Sequence, residues 1–261
     1  MHANPVALNE TVMGDGPPIV VLHGLYGAGT NWGSYAKWLA ASWQVHTPDL
    51  RNHGQSPHSA HMSYEAMAAD VVSLLDRHGH DDAVILGHSM GGKVAMTLAL
   101  TEPERVRALI VADIAPVQYE HDLSHTIEAM EGVDLSQVRS RRDADSQLAA
   151  HLSDTALRQF LLTNLARSGD GWQWRIPLRH LAANLDVIQG FPDLAARWEG
   201  PTLALYGDRS DYVSDAASQQ RLRDHFPDAQ IAAIEGAGHF LHVEAPEPFR
   251  AHLDDWLQRL R

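Results

Sequence analysis

Six short apolar runs, separated by stretches with helical periodicity, constrain this chain more than any other feature. They are PPIVVLHG (from about Ile19 to Leu22), WQVHTPDL (ending before Pro48), DAVILGHS, VRALIVADIAP, PTLALYGD and AQIAAIEGAGH. Most are near-continuous Val, Ile, Leu and Ala without apolar–polar alternation, which fits strands covered on both faces. Strands that alternate with helices give a parallel sheet with crossover connections, so an α/β fold is expected. Ser63 has the chemistry of an N-cap, with an apolar stripe from Ala66 to Leu75 and Gly79 just past the end. Met90 to Leu100 is rich in helix formers and stops before Pro103. Ser214 to Phe226 and Pro246 to Leu260 supply the last two helices.

One interval breaks the rhythm. Residues 117–196 contain no strand run, only amphipathic helical pieces such as DTALRQFLLTNLAR and PLRHLAANLDVIQG. A structureless loop of that length is implausible inside a domain, so a folded helical insertion, a cap, is expected there. The core then comprises residues 1–116 and 197–261.

Composition narrows the partners. Lys+Arg is 20 against 33 Asp+Glu, a formal net charge of −13, which disfavours nucleic acid and anionic membrane. No apolar run approaches the roughly 20 residues needed to span a bilayer. The N-terminal stretch lacks the basic start and apolar core of a signal peptide, so a cytoplasmic protein is expected. The chain has no cysteine, which removes disulfides, thiolate metal sites and a cysteine nucleophile. Its 17 histidines raise the question of a metal, yet no H-E-x-x-H occurs. The helix-compatible pair His121 and His125 lies in a polar stretch without a nearby third ligand, so no metal is expected.

Within the third run, GHSMGG (residues 87–92) places one serine between glycines. Gly87, Gly92 and Lys93 satisfy part of a phosphate-binding loop, but Val94 stands where a magnesium-binding hydroxyl is required. Read as G-x-S-x-G between a strand (82–86) and a helix beginning at Met90, the same residues form a nucleophile elbow that presents Ser89 on a strained turn. A serine hydroxyl needs a base. His239 in EGAGHF, directly after the last strand and flanked by loop glycines, is the best candidate, ahead of His23, His88 and His242. The developing oxyanion needs two backbone donors. The N–H of Met90, at a helix N-terminus, and that of Leu25 in the glycine-bearing loop HGLYGAGTNW are placed to supply them.

Taken together, VVLHGLYGAGTNW, PDLRNHGQSPHS, ILGHSMGGKVAM, VADIAPV, WRIPLRHLAANLD and GAGHFLHVEAPE run along nearly the whole chain. Through them it resembles the α/β-hydrolase-fold serine hydrolases, in the branch of small bacterial esterases related to mitochondrial abhydrolase-domain proteins. The superfamily usually places the triad acid three residues after the glycine of the loop that follows the penultimate strand. Here that position is Ser210, between Asp208 and Asp211. The alternative location is the end of the strand after the nucleophile helix, where Asp113 stands. The resemblance favours Asp113, with Ser210 as a second hydrogen-bond partner of the histidine; Asp211 is the competing choice.

The resemblance implies serine-dependent hydrolysis of carboxylic esters through an acyl-enzyme, without cofactor or metal. Acyl-CoA thioesters, or a receptor-like role with little turnover, are the alternative readings. Leu157, Phe160, Leu161, Trp172, Trp174 and Leu181 are the apolar residues of the insertion expected to face a small acyl ester or thioester. A CoA site would want clustered cations. The insertion offers Arg139, Arg141 and Arg142 but is acidic overall, which weakens that reading. Arg51, Asn52 and His53 lie near the mouth of the expected site, where a structural turn with Arg51 in an internal ion pair is the simpler reading.

Overall fold

The apolar runs become strands of one sheet. A computed structural model describes residues 4–120 and 123–260. In chain order the strands are β1 (Glu10–Met13), β2 (Pro18–Leu22), β3 (Gln44–Pro48), β4 (Ala83–His88), β5 (Val106–Ala112), β6 (Leu165–Ser168), β7 (Gly171–Trp174), β8 (Thr202–Gly207) and β9 (Gln230–Ile234). Seven form the central sheet in the order β1-β3-β2-β4-β5-β8-β9. Every pairing in it is parallel except β1 with β3.

The helices are α1 (Gly33–Leu39), α2 (Tyr64–His78), α3 (Met90–Thr101), α4 (Ser124–Glu131), α5 (Arg141–Leu148), α6 (Thr155–Leu161), α7 (Leu178–Ala183), α8 (Leu185–Gln189), α9 (Ala216–His225), α10 (Leu241–Glu244) and α11 (Pro246–Gln258). The Ser63 side chain caps α2 by accepting the Ala66 N–H, and Gly79 ends the helix at φ +69°. Alternate residues of one strand serve opposite layers. Val20, Leu22 and Ile85 pack with Val71, Leu74 and Val94 of α2 and α3, whereas Ile19, Val21, Val84 and Leu86 pack with Tyr35, Leu39, Phe249 and Leu253 of α1 and α11. Burial on both faces is the reason these strands read as continuous apolar runs.

Three strands escape the sequence reading. β1 is four residues, ETVM, half-exposed at the sheet edge, too short and polar to stand out. The other surprise is inside the insertion between β5 and β8, where α4 to α8 are accompanied by the antiparallel hairpin β6–β7, contrary to the all-helical expectation. Its strands have only four residues each, and Gly169, at φ +56°, makes the turn that a side chain would strain. Among the described residues, no helix is long and apolar enough to cross a membrane.

Candidate active site

Three strand ends converge. β4 leads straight into Ser89, whose φ of +52° and ψ of −122° lie outside the comfortable regions for a residue with a side chain. The flanking glycines permit that turn. A Cβ on Gly87 would fall 2.2 Å from the Gly91 carbonyl oxygen, and one on Gly91 would fall 2.6 Å from the carbonyl oxygens of Leu22 and His23. The Ser89 N–H donates to Ala112 O at 3.0 Å, which ties the elbow to the neighbouring strand.

β5 ends one residue before Asp113, itself at φ +53° and fully buried. Its carboxylate accepts three hydrogen bonds: from the Gly207 N–H at 3.0 Å, from the Ser210 hydroxyl, and from His239 Nδ1–H at 2.7 Å. His239 follows β9, and its Nε2 lies 3.0 Å from Ser89 Oγ. Gly207 lets the His239 loop come this close, because a Cβ there would meet the backbone oxygens of Ala237 and Gly238 at 2.3 and 2.4 Å. The Tyr212 ring stacks on the imidazole at 4.0 Å between centroids, and Tyr119 holds that tyrosine by donating its hydroxyl to the Tyr212 carbonyl at 2.7 Å.

The structure therefore brings Ser89, His239, Asp113 and Ser210 together, but Ser210 bonds the carboxylate rather than the imidazole expected as its partner. Asp211 is exposed, outside this network. Of the neighbouring histidines, His23, His53 and His88 are held by backbone groups. His23 Nδ1–H donates to Gly24 O while Nε2 accepts the Leu50 N–H; His53 Nδ1–H donates to Arg51 O while Nε2 accepts the Tyr26 N–H. His88 Nε2–H donates to the His239 carbonyl at 2.8 Å, and His242 stacks on Trp32. Burial drives the His53 and His242 imidazoles down to about 3 and also lowers His23 and His88, so all four are neutral near pH 7. Arg51 makes a two-pronged ion pair with Asp70 of α2, both side chains fully buried, which is the structural reading of that turn.

Ser89 and His239 open into a cavity of about 310 Å³. Leu25 and Met90 line it, and a Cβ on Gly24 would lie 3.2 Å from Ser89 Cβ, so the Gly24–Gly27 turn runs directly against the serine. From the insertion come Leu123, Thr126, Leu157, Phe160, Ile188 and Gln189, and Lys93, Tyr212, Phe240 and Val243 are among the other residues that line it. Leu157 and Phe160 are thus where the sequence places them. Leu161, Leu181, Trp172 and Trp174 are corrections. Leu161 and Leu181 are fully buried in the packing of the insertion itself. Trp172 sits on the hairpin under the Arg167 guanidinium at 4.3 Å, and Trp174 donates its indole N–H to Met130 O at 2.9 Å. The arginine cluster does not serve the cavity either: Arg141 donates to Leu162 O and Leu165 O, and none of the three arginines lines the wall. Of the pair considered for a metal, His121 lies outside the described residues, and His125 Nε2 meets His151 O at 3.0 Å.

Comparison with known proteins gives the family. A family model for the α/β hydrolase fold matches residues 17–246. The chain is 43% identical to mouse sn-1-specific diacylglycerol lipase ABHD11 over 241 residues, 89% of this chain and 78% of that one. It is 37% identical to esterase YbfF of Escherichia coli K12 over 245 residues, covering 91% and 93% of the two chains. Among solved structures, a marine microorganism esterase superimposes with a TM-score of 0.92 at 36% identity, over 96% of this chain and 99% of the other. The chain belongs to the α/β-hydrolase family. Within it, the chain is a carboxylic ester hydrolase related to the abhydrolase-domain proteins, as the sequence motifs imply.

Proposed function

We propose that the protein hydrolyses esters with an apolar acyl chain through a covalent acyl-enzyme on Ser89. The observation that carries this reading is the unbroken chain from Ser89 Oγ through His239 (3.0 Å) to the Asp113 carboxylate (2.7 Å), opening into a mainly apolar cavity. His239 takes the serine proton at Nε2 as Oγ attacks the ester carbonyl, and Asp113 holds the Nδ1–H tautomer and stabilises the imidazolium. The carbonyl oxygen becomes an oxyanion beside the amides of Leu25 and Met90. Collapse of the tetrahedral intermediate breaks the bond to the alkoxy oxygen, which leaves as the alcohol with the proton from Nε2. Water then gives its proton to the same nitrogen and attacks the acyl-serine. The second collapse releases the carboxylic acid and returns the proton to Ser89.

Ser210 acts on Asp113 by anchoring the carboxylate in line with the imidazole. The insertion acts as a cap, with Leu157, Phe160, Leu123 and Ile188 receiving the acyl chain. Relatives named as a diacylglycerol lipase and an esterase support acyl esters as the substrate class. The thioester reading draws no support from the wall of the cavity: no arginine lines it among the described residues, and Lys93, which does, spends its ammonium on the carbonyls of Val117, Gln189 and Gly190. A panel of p-nitrophenyl esters from two to sixteen carbons, beside acyl-CoAs and with Ser89→Ala as control, tests both points. The expected result is ester turnover exceeding thioester turnover and vanishing with Ser89. Turnover retained by Ser89→Ala would overturn the mechanism.

A further inference from the structure

A second cluster of side chains lies at the β1 edge of the sheet, built from residues that are scattered in sequence. His46 is buried on β3, His78 closes α2, and His80 follows Gly79. The helix cap brings the last two together: Gly79 turns left-handed and the His80 N–H donates back to Leu75 O at 3.0 Å, so the chain folds over the helix end. The candidate ligand atoms of the three histidines all fall within 4.8 Å of one another. His46 Nε2 and His80 Nε2 face each other at 3.2 Å. Two imidazole nitrogens on a tetrahedral ion, each bound at 2.0–2.1 Å, stand about 3.3 Å apart.

Glu10 of β1 orients the set. Its carboxylate accepts from His46 Nδ1–H at 2.8 Å and from His78 Nε2–H at 2.7 Å, and Arg77 donates to the same group. A carboxylate that also receives the Arg77 guanidinium offers only acceptors, so both ring nitrogens that touch it carry protons. That leaves Nε2 of His46 and Nδ1 of His78 as lone pairs. A carboxylate behind the far nitrogen of an imidazole is the outer-shell arrangement that fixes metal-binding histidines. None of these residues lines the Ser89 cavity.

We propose that His46, His78 and His80, oriented by Glu10, bind one divalent transition-metal ion of the zinc type that ties β1, β3 and the end of α2 together. The ion takes the place of the shared proton between His46 and His80. His80 shifts to its Nδ1–H tautomer through solvent, so three neutral imidazoles ligate without net proton uptake. Imidazole ligation selects zinc, nickel, copper or cobalt over calcium or magnesium.

The test uses the full chain, stripped with chelator and dialysed, then titrated calorimetrically with zinc chloride. Cobalt chloride serves as a visible-absorbance probe of four-coordination. The variants are His80→Gln and His78→Gln, both outside the buried core, with the exposed His151→Gln as control and circular dichroism to verify folding. One zinc per chain is expected, with a rise in Tm and tetrahedral cobalt bands. His80→Gln should weaken zinc about 100-fold or more, and His78→Gln at least about tenfold, while His151→Gln changes nothing. Saturable zinc and cobalt binding absent below about 100 μM, or binding that both site variants leave within about tenfold of wild type, would overturn the proposal.

Discussion

Replacing Asp113 with asparagine keeps the volume and removes the charge, and the surrounding hydrogen bonds dictate how the amide must sit. One carboxylate oxygen accepts from the Gly207 N–H at 3.0 Å; the other accepts from His239 Nδ1–H and the Ser210 hydroxyl. An amide NH₂ turned toward Gly207 would set its N–H against the Gly207 N–H, donor against donor, in a fully buried site, a loss of about 1–3 kcal/mol. The amide therefore turns its NH₂ toward His239 and Ser210, whose hydroxyl can accept. His239 must then accept at Nδ1 and carry its proton on Nε2, pointing at Ser89, where it cannot serve as a base. With this tautomer, and without the carboxylate charge that stabilises the imidazolium, a triad typically loses about 10⁴ in turnover, equivalent to about 5.4 kcal/mol of transition-state stabilisation. Ser210→Ala removes one donor from a carboxylate that keeps two others, so a fall of about tenfold is expected. Asp211→Asn, on the exposed neighbour, should leave kcat within about twofold. The assay is steady-state hydrolysis of p-nitrophenyl butyrate at pH 8 with active sites counted in each variant. If Asp113→Asn stays within tenfold of wild type, or if Asp211→Asn falls as far, the assignment of the acid is wrong.

Stability should fall in mild acid. His53 and His242 are held down to about 3 by burial, whereas unfolded histidine titrates near 6.5. The unfolded chain therefore binds more protons between those values, so stability is complete above pH 6.5 and declines as pH drops toward 3. From pH 7 to pH 5 each contributes a loss of about 2 kcal/mol, and a urea midpoint equal at the two values would contradict this. Lys93 of α3, buried, donates to Val117 O at 2.9 Å and Gln189 O at 2.7 Å, and also to Gly190 O, clasping both ends of the insertion. Lys93→Met leaves those carbonyls short of partners, so a destabilisation of about 2–3 kcal/mol and faster proteolysis near residues 117 and 190 are expected; unchanged denaturation would refute the clasp. Leu157→Trp fills part of the 310 Å³ cavity, and kcat/KM should drop more for octanoate than for acetate esters. A uniform drop across chain lengths would place the acyl chain elsewhere.

Where local chemistry decides the structure, the sequence was legible. Ser63 and Gly79 mark the ends of α2, and the glycines of GHSMGG can be read as the elbow because their missing Cβ atoms are what the turn requires. Asp113 needed more. Asp113 and Asp211 are both candidate acids in a linear reading, and only the buried carboxylate at the end of β5 is aligned by Gly207 and Ser210. The wall of the cavity was half legible. Leu157 and Phe160, three residues apart on α6, share the face turned to Ser89, but hydrophobicity cannot distinguish them from Leu161, which turns into the insertion's own packing. Trp172 and Trp174 were misplaced because their strand is four residues long, with alternation too brief to read. Tyr212 gave no signal of its own: its stacking on His239 depends on contacts made across the sheet edge. The cluster of Glu10, His46, His78 and His80 leaves no helical or loop spacing to read, because it forms where the paired β1 and β3 meet the end of α2.

Trapping the acyl-enzyme tests the assignment of Ser89 as nucleophile. Wild-type protein turning over p-nitrophenyl butyrate, quenched in acid within the first turnovers, should show a fraction of chains heavier by one butyryl group, mapped by peptide sequencing to Ser89. The same quench on Ser89→Ala should show none. An adduct on another residue, or full ester turnover by Ser89→Ala with no adduct, would contradict the claim that Ser89, activated by His239 and Asp113, carries the reaction.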